Sequence, residues 1–557
     1  MASSNGSGDF SSKMEEPEHP LLNFVVLRVL FDHASFEEFN NYRSVCKTWW
    51  DVSLRRWRKD STVTFRDGPV ELLTSVEKFM IFWKVSQLLP DQSYLDKYPF
   101  KKYCLRGWNI DMENDATFLF WKKLGATMSH LEMRGCKFDS LQDFRTILFG
   151  SVPKLEVLHY NLTVCSIPAV NQRSLGWNGE LIARGINENL REFKYTIDKT
   201  LPTELAVSLE EFFCHMPNMK ALVFNPVGDN YEAHRPWDLN TLLEAIQSIR
   251  ASHNIRIQLQ SLNLVEQRNF WLLQHHYNLL RTLRFPLTSL SLVHEGESTT
   301  QQVLFQQIIG LHCQTLRKIY LVRVDYTRDV FEHSPFKEQF DSLQELIIFG
   351  GCPSRSLEFL EFTPKLRRLL VVDNIYSDRE LLDDAAPYLS INKEEIQNLR
   401  NKGRLHYDMR EDLIGNTNFA NLKTCPCLEE FVYKQGGLSC TPLQVRNLTK
   451  LMPNLKVVQI GLSSPGFKIA CEGWKNLEVL LVGPWRIEVE HCGFSENITK
   501  LKHLRYFAMA WGIFWNCDDG YELCEQSIVE GLLKCQRLEK IWVVCSEKVI
   551  TNKYIHA

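Results

Sequence analysis

Apolar residues recur along most of this chain in one short pattern, Leu-x-x-Leu-x-Leu, with other apolar side chains allowed in each slot. Well-formed copies begin at Met128, Leu155, Leu190, Met219, Leu259, Leu287, Leu316, Leu343, Leu366, Leu428, Leu455, Leu477, Leu504 and Leu538, and a weaker first copy is Phe100, Tyr103, Leu105. Successive starts lie 22 to 40 residues apart, except for the 62 between Leu366 and Leu428. The second and third apolar slots are two residues apart. That spacing predicts a short strand with those side chains on one face and the residue between them on the other. Segments such as Ser140 to Leu148 and Val303 to Ile309 read as helices returning from one strand to the next. One copy carries no weight, but fourteen at a near-regular interval predict stacked units that bury a core none could make alone.

The pattern resembles the leucine-rich repeat. That resemblance implies an α/β fold, a leucine-rich repeat solenoid of horseshoe form with parallel strands on the concave face. We place it over residues 98–557, with insertions near 225–258 and 372–427. At about 4.8 Å per strand, fourteen or fifteen copies give an inner arc of roughly 70 Å, enough to hold a folded protein. The first insertion centres on Asp229 to Trp237. The second carries a polar, charged stretch, Asp373 to Asp412, in place of at least one plain repeat. Cys136, Cys352 and Asn374 fall just after a strand, in a slot that this repeat class buries against the loop backbone. Between the second and third slots, the early copies carry mainly polar residues (Glu132, His159, Lys194, Val223, Asn263, Ser291, Tyr320). The later ones carry mainly apolar residues (Ile347, Leu370, Val432, Gln459, Leu481, Ala508, Trp542). An exposed apolar strip is therefore expected on the inner face of the later repeats, where a partner would cover it. Aromatic residues just past those strands add binding anchors. The expected substrate-binding residues are Trp485, Trp511, Phe514, Trp515 and Trp542; the alternative is that these aromatics fold into the terminal cap, or that the C-terminal tail covers the strip.

Ahead of the array the period changes. Leu22 to Trp57 reads as three short helices: Val26 and Leu30, like Leu27 and Phe31, are four apart on one face. Ser35 with Glu38 forms a capping-box signature. Val45, Trp49 and Val52 line one stripe, and Cys46, Trp50, Leu54 and Trp57 another. So much aromatic surface on three short helices needs a further partner. Leu30-Phe31 and the run Arg43-Ser44-Val45-Cys46-Lys47-Thr48-Trp49 resemble the middle and closing motifs of an F-box; Asn23 stands where that pattern opens with a proline. The resemblance implies docking to a Skp-type adaptor and, through it, to a cullin scaffold. Leu22, Leu27, Leu30, Phe31, Val45 and Trp49 are the expected adaptor contacts or their supporting core. The domain plan is then 1–18 disordered tail, 19–60 F-box, 61–97 connector with helical spacing over Val70 to Leu89, and 98–557 repeats.

Composition adds limits. The 557 residues carry a formal net charge of -3, which favours neither nucleic acid nor a membrane surface as partner. The run Arg55-Arg56-Trp57-Arg58-Lys59 reads as a solvated helix end suited to the negative pole of its dipole. No apolar run is long enough to span a bilayer, and the Gly/Ser-rich start lacks a secretory signal. A cytoplasmic or nuclear setting follows as the expectation, with the 16 cysteines as thiols. Cys425-Pro426-Cys427 has no second pair at metal-site spacing and is read as structural. No phosphate loop, dinucleotide fingerprint, nucleophile elbow or zinc-protease motif is present. The expectation is a non-enzymatic chain without cofactor: the substrate-recognition subunit of a Skp-cullin-F-box ubiquitin ligase. The alternative is a leucine-rich repeat scaffold unconnected to ubiquitination, whose helical head merely caps the array.

Overall fold

The computed structural model describes residues 27, 45–46, 48–49, 52, 61–66, 100–110, 112–138, 143, 146–161, 187–197, 213, 216–226, 243–244, 246–247, 258–264, 278, 280–282, 285–295, 306–324, 336, 338–349, 356–372, 414–434, 440–485, 493–511, 528–545 and 548–551. The chain divides into two compact units, Met1–Leu190 and Arg191–Ala557.

In the first unit the elements run β1 (Thr62–Arg66), β2 (Lys102–Arg106), β3 (Asn109–Ile110), α1 (Asp115–Leu124), β4 (His130–Arg134), β5 (Lys137–Phe138) and β6 (Val157–Asn161). Strands β1, β2, β4 and β6 pair in that order, all parallel, with Phe65, Leu105, Met133 and Tyr160 in one register row. Strands β3 and β5 form a separate parallel pair. Asn114 Oδ1 accepts the Thr117 amide at 3.3 Å at the start of α1, and Asp115 and Lys122/Lys123 sit at the dipole ends that suit their charges. The helix lays Phe120 and Trp121 into the core, where Phe120 meets Trp108 at 5.0 Å and Phe65 at 5.4 Å between ring centroids. Strand β1 lies within the stretch read as connector. It has no leucine ahead of it, so the repeat pattern does not find it.

The second unit runs β7 (Glu192–Ile197), β8 (Ala221–Pro226), β9 (Ser261–Asn263), β10 (Ser289–Glu295), β11 (Lys318–Val324), β12 (Glu345–Phe349), β13 (Arg368–Val372), β14 (Glu430–Lys434), α2 (Pro442–Leu451), β15 (Val457–Ile460), α3 (Ser464–Gly473), β16 (Val479–Trp485), α4 (Phe494–Ile498), β17 (Tyr506–Trp511), β18 (Lys540–Cys545) and β19 (Lys548–Thr551). Each strand from β8 to β18 pairs parallel with its predecessor, and β19 turns back antiparallel on β18. All fourteen leucine-rich copies therefore deliver a strand, as does the weaker copy at Phe100. This is leucine-rich repeat architecture, one parallel strand per copy.

Two devices set the register. A tight turn precedes the strand: the first leucine's amide returns to a carbonyl three residues back, as in Leu366→Thr363 (3.0 Å), Leu428→Cys425 (3.3 Å) and Leu477→Trp474 (3.3 Å). The next two amides then converge on one carbonyl of the preceding repeat. Arg367 and Arg368 both donate to Gln344, Glu429 and Glu430 to Arg367, and Lys456 and Val457 to Glu429. This pattern runs unbroken from Arg191 to Lys540. It passes straight across both long gaps: β9 pairs β8, and β14 pairs β13 although residues 373–429 separate them. The ladder therefore holds no strand between β13 and β14; residues 373–413 of the second insertion lie outside the described residues.

On the outer side, α2 packs on α3 and α3 on α4. Helix α2 opens with a full capping box, in which Thr441 Oγ1 accepts the Gln444 amide (3.3 Å) and Gln444 Oε1 accepts the Thr441 amide (2.6 Å). Pro442 follows at the first helical position, where its missing N–H costs nothing. Trp474 Nε1 donates to the Met452 carbonyl at 3.0 Å, tying α3 to the repeat before it. Residues 306–311 and 528–533 are helical too, the former overlapping the stretch Val303 to Ile309 expected to return as helix.

Candidate functional site

Strand parity splits each repeat. In the second unit, Leu290, Ile319, Leu346, Leu369, Phe431, Val458, Leu480, Phe507 and Ile541 face the helices and are buried. The residues beside them face the other way and form two rows on the inner face of the sheet.

The first row reads Lys318, Glu345, Arg368, Glu430, Val457, Val479, Tyr506, Lys540. Its opening four residues alternate in sign and pair across neighbouring strands. Lys318 Nζ lies 3.4 Å from Glu345 Oε2, Arg368 Nη1 3.4 Å from the same oxygen, and Arg368 Nε 3.1 Å from Glu430 Oε2. The Arg368 side chain is 5 % exposed, between two carboxylates that balance it. From Val457 on the row turns apolar, ending with Lys540 Nζ 5.8 Å above the Tyr506 ring.

The second row is the one expected to be an open apolar strip: Ile347, Leu370, Val432, Gln459, Leu481, Ala508, Trp542. It is closed instead, every member being buried, including Trp542 at 7 % exposure and Gln459 at 2 %. Strands buried on both faces carry nearly continuous apolar runs. The sequence held that signal in Glu345-Leu-Ile-Ile-Phe349, Arg368-Leu-Leu-Val-Val372 and Val479-Leu-Leu-Val482. Earlier strands such as His130-Leu-Glu-Met-Arg134 alternate, and there Glu132 and His159 stay half-exposed.

Among the expected substrate contacts, Trp485 and Trp511 end β16 and β17 and are register partners. Phe514 and Trp515 lie outside the described residues. Trp542 is a core residue of the closed row, opposite Thr551 of β19.

Among the expected adaptor contacts, Leu22, Leu30 and Phe31 lie outside the described residues. Leu27 is buried, as is Val52. Trp49 is half-buried, and Val45 is 58 % exposed. Val45 thus exposes a β-branched apolar side chain to water.

Among the described residues, cysteines act as packing and hydrogen-bonding groups. Cys136 Sγ lies 3.5 Å from the Leu105 carbonyl and 3.8 Å from that of Arg134, the loop-anchoring role expected of its slot; Cys352 and Asn374 fall outside the described residues. In the first unit Asn187 does the same work in the turn before β7. Its Oδ1 accepts the Asn189 and Leu190 amides and its Nδ2 donates to the Val152 carbonyl. Burial pushes the Cys425 thiol up to about 11, so Cys425 stays protonated beside exposed Cys427. Among the described residues no group of three or more His, Cys, Asp or Glu could hold a metal ion, and no helix is long and apolar enough to cross a membrane.

No family model matches the chain, and no curated protein matches it. Among solved structures it is similar to a leucine-rich repeat protein of Leptospira interrogans, over 82% of this chain and 92% of that one, at 14% identity and a TM-score of 0.31. It is also similar to a TLR13–ssRNA13 complex, over 75% of this chain and 56% of that one, at 13% identity and a TM-score of 0.32. Likeness this distant adds no argument to the one made by strand register.

Proposed function

We propose that this chain is the substrate-recognition subunit of a Skp-cullin-F-box ubiquitin ligase. Residues 19–60 dock on a Skp-type adaptor that hangs on a cullin scaffold, and the leucine-rich repeats hold a target protein for ubiquitination. The observation that supports the reading is the exposure of Val45 within the run Arg43-Ser44-Val45-Cys46-Lys47-Thr48-Trp49, where Trp49 is half-buried. An apolar side chain left in water fits a contact that a partner would cover. In this reading the chain supplies no catalytic group, works in the cytoplasm or nucleus, and positions its cargo for the chemistry of other subunits.

The test is co-expression with a purified-tag Skp-type adaptor. The full chain is expected to co-purify with it. Val45→Asp should lower recovery at least tenfold, since a carboxylate desolvated at an apolar contact costs more than about 1.4 kcal/mol, while leaving the chain's melting temperature unchanged. Absence of co-purification by the unaltered chain, or equal recovery of V45D, would return the molecule to a repeat scaffold unconnected to ubiquitination.

A further inference from the structure

On the inner face of the first unit the charges do not balance. Register sets Arg66, Arg106 and Arg134 side by side at the ends of β1, β2 and β4, and the row runs on to Asn161 of β6. At about 4.8 Å per strand, the three arginines fall within about 10 Å of one another. Like charges directly opposed on neighbouring strands destabilise a sheet. The second unit avoids that cost in Lys318, Glu345, Arg368 and Glu430, where the sign alternates from strand to strand. In the first unit Lys102 adds a fourth cation to the same face, and within these four strands Glu132 is the one carboxylate.

Glu132 is already committed. Its Oε1 lies 2.5 Å from Nε and from Nη2 of Arg134. Arg106, in the middle of the row, has no carboxylate paired with it among the described residues, and its Nε is buried without an acceptor. The neighbouring Cys104 thiol, pushed up by burial, stays uncharged and balances nothing. The surplus charge is open to water: Arg66 and Arg134 are exposed, and Arg106 is half-buried. The chain builds this end of the row twice. Gly107 and Gly135 follow Arg106 and Arg134 at φ values of 70° and 60°, left-handed conformations that glycine adopts freely, so the chain turns just past each arginine. The Gly107 amide donates to the Arg134 carbonyl at 2.9 Å and ties the first turn to the neighbouring strand.

A compact anion with more than one charge complements such a row. A guanidinium meets phosphate oxygens through paired N–H donors. A phosphate monoester carries about -1.5 to -2 at pH 7, whereas a carboxylate supplies a single charge, which Glu132 already contributes. The row is short and ends at an uncharged residue, room for one or two phosphates rather than a nucleic-acid backbone. The positions beside it are Thr64, Cys104, Glu132 and His159, none of them a large apolar anchor of the kind that holds a protein partner. We propose that Arg66, Arg106 and Arg134 form a binding site for a small organic phosphate monoester on the inner face of the first unit. The site is independent of the ligase reading, since it requires neither adaptor nor target protein.

The test is a phosphorus NMR titration of glycerol 2-phosphate with the full chain, the ionic strength being held constant with chloride. Saturable binding is expected. Arg106→Gln should weaken it about tenfold or more, and Arg106→Lys by less, because lysine keeps the charge and loses the paired donors. No saturable binding by the unaltered chain, or equal binding by R106Q, would overturn the proposal. Should R106Q fail to fold, Arg134→Gln, changed at an exposed side chain, decides by the same criterion. A pool of peptides centred on phosphoserine is titrated in parallel. Binding of that pool without binding of glycerol 2-phosphate would give the site a protein ligand and equally overturn the proposal.

Discussion

Removing Arg368 should do more damage than any other single truncation of a charged group on this sheet. The guanidinium is 5 % exposed and bridges Glu345 and Glu430, whose side chains are 36% and 12% exposed. Arg368→Ala leaves Glu430 with its charge and without its cation, beside the second carboxylate of Glu345. Breaking a buried pair from one side costs about 3–5 kcal/mol, whereas replacing both partners with apolar groups is often neutral. Glu345 is partly solvated and keeps Lys318 at 3.4 Å, so its share is small. We therefore expect about 3 kcal/mol from Arg368→Ala and under about 1 kcal/mol from Arg368→Met combined with Glu430→Leu. The chain has two compact units, so a single two-state fit to the whole is inappropriate. Hydrogen exchange in fragments covering β13 and β14 reports the local opening free energy directly. If R368A exchanges like the unaltered chain there, or the double variant opens more easily than the single, the ladder is ornamental and the reasoning fails.

Two further outcomes follow from the same geometry. A Cβ on Gly473 would sit 2.5 Å from Thr449 Cβ, so Gly473→Ala should force α2 and α3 apart at a cost of about 1–3 kcal/mol, read as a lower urea midpoint; Thr449→Ser should not rescue it, because Cβ remains. Burial pushes the Glu429 carboxyl up, but hydrogen bonds and charge from Arg367 and Lys456 outweigh that and hold it below its ordinary 4.5. A depressed folded-state value means that ionised Glu429 stabilises the fold above that range and ceases to do so as pH falls through its lowered value. The stability gap between the unaltered chain and Glu429→Gln should therefore be full at pH 6 and close progressively beneath about 4.5.

The repeat copies were legible because a strand needs only local information. Two apolar residues at a spacing of two, preceded by a leucine that closes a tight turn, suffice to place β4 and β6 to β18 from sequence. Cys136 was legible in the same way, since the slot after the strand repeats with it. Strand β1 was not, because it lacks the leading leucine and is defined only by the neighbour it pairs with.

The inner face marks the limit of that legibility. Parity along each strand assigns Ile347, Leu370, Leu481 and Trp542 to the face opposite the helices, and the sequence determined that much alone. Whether that face meets water depends on chain packed from elsewhere, which parity cannot express, so a strip read as open proved closed. The ladder Lys318–Glu345–Arg368–Glu430 was equally hidden, because its last two members are 62 residues apart and become neighbours only when β14 pairs β13 across the insertion. Sequence determined which residues form strands and which face each takes. Tertiary structure decided which strands adjoin, which faces are sealed, and which polar groups go unpaired, because those depend on contacts between segments far apart in the chain.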